Sequence, residues 1–138
     1  VSLDARNYGA RAWVVKVIAA LRDPRGLDLL EHALQADIAP SVRRSATRGL
    51  ADLELNEGAA HDQLERCFKG LLKAVRDDEW VVRYAAAYGL EQRLNSSAVS
   101  SHLAEQGRRA LNLLASDAEG VKVVQLRALK ALQRLNAG

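Results

Sequence analysis

The 138-residue chain has no methionine, one cysteine, one phenylalanine and two prolines. Each shortage excludes something. A lone cysteine, Cys67, cannot build a disulfide framework or a cysteine-rich metal cluster, and it suits a reducing, intracellular compartment. The three histidines, His32, His61 and His102, have no second ligand at metal-binding spacing and are expected to be solvated, so no metal is expected. Gly9, Gly26, Gly49 and Gly89 stand alone, so no phosphate-cradling loop is present. No apolar run reaches the length of a membrane span, and no secretory signal is visible. The absence of a start methionine reads as a fragment of a slightly longer chain. Scarce proline and missing strand-type alternation point to an all-α domain.

What is present is charge of both signs and a repeat. Twenty Lys and Arg face seventeen Asp and Glu, a net charge of +3. That balance permits an anionic partner without demanding one. Four segments align: ARAWVVKVIAAL at 10–21, VRRSATRGLADL at 42–53, VRYAAAYGLEQR at 82–93 and VKVVQLRALKAL at 121–132. Each opens small-basic and carries an apolar residue eight positions on, at Ile18, Leu50, Leu90 and Leu129. Their starts are 32, 40 and 39 residues apart, the period of a two-helix repeat. Partner helices fall between them. One follows Asp23-Pro24, a cap with proline at the first helical position. The others cover 59–76 and 99–115, with apolar stripes such as Leu64, Cys67, Phe68, Leu71 and Leu72. Short linkers are expected at Asp37–Ala39, Asn56–Gly58, Asp77–Glu79, Asn95–Ser97 and Ser116–Gly120.

The expectation is a single HEAT-like α-solenoid domain over residues 1–138, of about four antiparallel helix pairs with the first incomplete. About seven helices at a regular period argue against a four-helix bundle. Asp37 precedes Arg43 by six residues and Asp77 precedes Arg83 by six. Such pairs read as a structural ladder between repeats. Cys67, on an apolar stripe, reads as a buried structural thiol.

The stretch DDEWVVRYAAAYGLE at 77–91 holds three of the six aromatics. On a wheel of 100° per residue, Val82, Ala85, Ala86, Gly89 and Leu90 share the packing face. Trp80, Tyr84, Tyr88 and Glu91 fall on the opposite side. The aligned positions elsewhere are Tyr8, Ala12 and Lys16; Pro40, Arg44 and Arg48; and Glu119, Val123 and Arg127. In a solenoid, equivalent faces line one surface. Here that surface would be an aromatic platform beside Lys16, Arg44, Arg48 and Arg127, suited to flat conjugated rings and to carboxylates or phosphates. The competing reading is that neighbouring helices cover the rings. No Ser/His/Asp set or other self-contained catalytic set can be assembled, and Asp77-Asp78-Glu79 suits a helix start.

Four motifs in order carry a resemblance: Asn7–Trp13, Asp23–Leu27, Ser41–Leu50 and Asp78–Tyr84. Over residues 7–94 the chain resembles the F-type subunits of the E/F-type phycobilin lyases. The resemblance implies a HEAT-like solenoid that pairs with an E-type subunit. It implies attachment of a linear tetrapyrrole, phycocyanobilin or phycoerythrobilin, to a cysteine of a phycobiliprotein α or β subunit through a thioether. It implies a cyanobacterial cytoplasm or plastid stroma. Trp80, Tyr84 and Tyr88 would wall the rings, Arg44, Arg48 or Arg83 would hold propionates, and Asp78 or Glu91 would accept pyrrole N–H bonds as the catalytic carboxylates. The acceptor thiol belongs to the phycobiliprotein, so no nucleophile is needed. A chaperone-like relative without turnover is the alternative within the family. A HEAT-like nucleic-acid-binding protein is the alternative outside it, weakened by the modest charge.

Overall fold

The structure is a computed structural model and describes residues 7–55, 61–95 and 99–138. Among them run seven helices and no strand: α1 (Tyr8–Leu21), α2 (Leu27–Ala36), α3 (Pro40–Asp52), α4 (His61–Ala74), α5 (Trp80–Leu94), α6 (Ser101–Leu114) and α7 (Lys122–Ala137). The sequence marks most of the starts. Asn7 accepts from Ala10 N and caps α1. Asp23 caps a 3-10 turn at Pro24–Gly26 that leads into α2. Pro40 opens α3, and Ser100 caps α6. The expected linker Asn56–Gly58 and residues 96 and 97 of the Asn95–Ser97 linker lie outside the described residues.

The helices form two rows. The odd helices stack side by side, α1 on α3 on α5 on α7, and the even helices back them. The odd row is the more closely packed, which makes it the inner, concave row. Glycine explains part of that closeness. A Cβ on Gly49 would lie 3.0 Å from Ala19 Cβ of α1 and 2.8 Å from Leu30 of α2. One on Gly89 would lie 3.0 Å from Ala51 Cβ of α3 and 2.5 Å from Leu71 of α4. Both positions carry the same close approach in successive repeats. The core between the rows is filled by Leu30, Leu50, Leu71, Leu90 and Leu111 with Phe68 and Cys67, all fully buried.

A polar ladder ties the repeats along one edge, where the odd helices begin. Arg11 of α1 donates from Nε to Asp37 at 2.9 Å, in the α2–α3 turn. Arg43 of α3 does the same to Asp77 at 2.9 Å, and Arg83 of α5 to Glu119 at 2.8 Å. Each acid also accepts the backbone N–H two residues on, at Ala39, Glu79 and Val121. Each turn's carbonyl is held from the helix it precedes: Asp37 O by Arg43, Asp77 O by Arg83 and Glu119 O by Gln125. A carboxylate fixed by both an arginine fork and a backbone N–H is satisfied despite its burial.

That ladder corrects the sequence register of the last repeat. Gln125 occupies the place of Arg43 and Arg83, so α7 aligns to α5 with an offset of 42 residues rather than 39. The buried residues agree: Val42, Val82 and Val124; Ala46, Ala86 and Ala128; Gly49, Gly89 and Ala131. Leu129, expected inside, is 44% exposed. Lys122, Leu126 and Lys130 therefore take the places expected of Glu119, Val123 and Arg127.

Candidate functional site

The inner surface of the odd row brings the expected residues together only in part. Trp80, the first residue of α5, is 44% exposed. Tyr84, one turn on and half-buried, meets it edge to face, with centroids 6.5 Å apart and planes at 89°. This pair is the open aromatic element of α5.

Tyr88 is placed differently. Its hydroxyl donates to Asp52 Oδ1 of α3 at 2.8 Å. The Arg48 guanidinium, also from α3, lies 4.0 Å from its ring centroid, and Arg127 of α7 lies 5.9 Å away. The ring is therefore covered by cations. Burial, then the bond to Asp52, push the phenol's pKa up, and Arg48 pulls the other way.

Between α1 and α3 runs an open groove of about 270 Å³, lined by Lys16, Ala20, Arg44, Ser45, Arg48 and Asp52 among others. Lys16 and Arg44 are exposed, and Arg48 is half-buried under its contact with Tyr88. Among the described residues no carboxylate pairs with Lys16, Arg44 or Arg48. Cations without a carboxylate partner beside a cavity are suited to anionic groups.

Two residues expected in the site are engaged elsewhere. Arg83 has its fork on Glu119, at 2.8 and 2.7 Å, and its remaining reach on the Asp77 and Asp78 carbonyls. The pairing holds the Glu119 carboxyl below its ordinary value, chiefly through the Arg83 hydrogen bonds. Glu91 lies on the aromatic side of α5, but arginines from α7 reach across and cover it. It is only 4% exposed, 2.9 Å from Arg127 and 3.5 Å from Arg134. Glu91 Oε1 and Arg127 Nη1 are close without an aligned hydrogen bond, so the contact is ionic. Asp78 remains exposed in the turn before Trp80.

Sequence reasoning missed Asp52. It stands one turn after Arg48 on the same face of α3, the only local signal it gives. Its partner Tyr88 is 36 residues away. Cys67 is fully buried, and burial pushes its thiol pKa up, which keeps it protonated and unreactive. No group of three His, Cys, Asp or Glu able to hold a metal exists among the described residues. No helix among them is long and apolar enough to cross a membrane.

Fold and surface together define a HEAT-like α-solenoid whose inner face joins an exposed aromatic pair to a cationic groove. No protein-family model matches the chain. It is 56% identical over 135 residues to the bilin biosynthesis protein RpcF of Synechococcus sp. strain WH8020, covering 98% of this chain and 64% of the relative. It is 39% identical over 132 residues to the phycocyanobilin lyase subunit beta of Nostoc sp. strain PCC 7120, covering 94% and 64%. The chain thus spans 64% of the length of both relatives. It superposes with a TM-score of 0.79, at 37% identity, on one chain of the complex of CpcE and CpcF of phycocyanin lyase from Nostoc sp. PCC7120, covering 95% of this chain and 76% of that one. The chain belongs to the family of the F-type subunits of the E/F-type phycobilin lyases.

Proposed function

We propose that this chain serves as the F-type subunit of a heterodimeric bilin lyase. With an E-type partner it attaches a linear tetrapyrrole, phycocyanobilin or phycoerythrobilin, to a cysteine of a phycobiliprotein α or β subunit. The observation that carries this reading is the superposition on a chain of the CpcE–CpcF phycocyanin lyase complex at 37% identity over 95% of the chain. The name phycocyanobilin lyase subunit beta, borne by a relative, agrees with it.

The surface supplies what such a reaction asks of this chain. A bilin is flat, conjugated and carries two propionates. Trp80 and Tyr84 offer an exposed edge-to-face pair against which rings can lie. Lys16, Arg44 and Arg48 offer unpaired cations for carboxylates. Asp78, exposed two residues before Trp80, is the acceptor proposed for pyrrole N–H groups. Binding and orientation are the chain's contribution to rate, because the nucleophilic thiol arrives on the phycobiliprotein. Cys67, buried and protonated, does not carry the bilin. Residues 1–138 act as one HEAT-like unit in this scheme. The compartment is the one where phycobiliproteins mature, a cyanobacterial cytoplasm or plastid stroma.

Coexpression with an E-type subunit, a phycobiliprotein α subunit and a bilin-producing pathway tests the reading. Covalent colour on the α subunit, lost when either lyase chain is omitted, is the expected result. Full colour without this chain overturns it. Soluble but uncoloured α subunit that still needs this chain assigns it a chaperone role instead.

A further inference from the structure

We infer that the groove between α1 and α3 is the seat of the ligand's two carboxylates, with Arg48 as its fork and Tyr88 as the shelf that aims it. This deepens the bilin reading and rests on it.

Arg48 is held against the ring of Tyr88. A guanidinium stacked on an aromatic ring uses its face, and its N–H donors all lie in its plane. The Arg48 guanidinium carbon lies 4.0 Å from the Tyr88 ring centroid, which holds the side chain against the ring. A guanidinium has five N–H donors, enough to rest on a ring and still take a carboxylate. No carboxylate of the chain takes them among the described residues. Asp52, the one acid lining the groove, has Oδ1 committed to the Tyr88 hydroxyl. That bond fixes the ring and so the shelf. Tyr88 is a positioning residue here, acting through Arg48 rather than by stacking on the ligand.

The second carboxylate has a place as well. Arg44 is one turn before Arg48 on the same face of α3, roughly 6 Å away along the helix. Lys16 faces them from α1 across the groove. The two propionates of a bilin leave its two central rings on the same edge, so both can enter one groove. The conjugated rings would then extend from this seat towards Tyr84 and Trp80 on α5.

The test uses biliverdin, a linear tetrapyrrole with two free propionates, and its dimethyl ester, which keeps the rings and loses both charges. Binding to the full chain, alone and with the E-type partner, is followed by the change in the pigment's absorption at low salt. The expected result is at least about tenfold tighter binding of the acid than of the ester. Arg48→Gln removes most of that preference and leaves the ester's affinity unchanged, which a general loss of structure would not do. Tyr88→Phe, which keeps the ring but frees Asp52, loses part of the preference, and Tyr88→Leu loses it. Equal binding of acid and ester by the unaltered chain overturns the carboxylate seat while leaving the bilin reading intact. Full preference in Tyr88→Leu overturns the role given to Tyr88. Failure of both pigments to bind, with the partner present, overturns the bilin reading and the seat together.

Discussion

Arg43 and Arg44 are neighbours in the sequence and do opposite things. Arg43 points along the edge of the stack, donates to Asp77 and to the Asp37 carbonyl, and is largely covered. Arg44 points onto the inner face, is exposed and has no carboxylate partner among the described residues. The same division separates Arg83 from Arg48. One set of arginines joins repeat to repeat, and the other faces outward from a finished structure. The difference lies in the acceptor. An arginine beside an acid fixed in the next inter-helix turn becomes a strut, and one on a face without such an acid stays available.

Breaking a strut gives the largest expected effect. Arg43→Leu leaves the Asp77 carboxylate without its fork and the Asp37 carbonyl without its donor. Loss of one partner of a covered ion pair costs about 3 kcal/mol, read as a lower urea midpoint. Arg44→Ala, one residue away, stays within about 0.5 kcal/mol of the unaltered chain in the same titration. An equal loss from both substitutions would erase the distinction between strut and free cation.

Gly89→Ala sharpens the comparison from the packing side. The added Cβ meets Ala51 Cβ at 3.0 Å and Leu71 at 2.5 Å, so α5 must shift from α3 and α4. The expected cost is about 1–2 kcal/mol in urea unfolding. The shift also parts Tyr88 from Asp52 and Arg48, so the acid-over-ester preference falls with it.

A smaller effect appears with pH. Glu119 has a folded pKa held below its ordinary 4.5, chiefly by Arg83. Its contribution is present above pH 4.5 and is lost as pH falls through the lower folded value. Glu119→Gln should therefore be less stable than the unaltered chain near neutrality, and the gap should narrow on acidification below pH 4.5. A gap that stays constant down to pH 2 would contradict the ladder.

Much of this was legible in the residues. Asp23-Pro24 announced the start that leads into α2, and Asp37–Arg43 and Asp77–Arg83 announced the struts. The HEAT-like stack followed from local pattern, and the family from the resemblance of four motifs. The register of α7 did not, because its turn uses Glu119 where the others use Asp and its helix uses Gln125 where the others use Arg. A gap of 39 residues then looked as good as the true 42. The wheel put Glu91 on the side away from the packing face but carried no record of α7, whose Arg127 and Arg134 cover it. Tyr88 looked like a stacking platform for the same reason, since Arg48 and Asp52 come from another helix. Azimuth on one helix is a local property, and coverage belongs to the stack.

The central claim is that the inner-face cations serve the ligand and not the fold. The most direct measurement pairs urea unfolding of the Arg44→Ala, Arg48→Ala double variant with covalent bilin transfer in the coexpression system. The account predicts an unfolding midpoint close to that of the unaltered chain and a phycobiliprotein left almost uncoloured. Full colour from a fully stable double variant would contradict it.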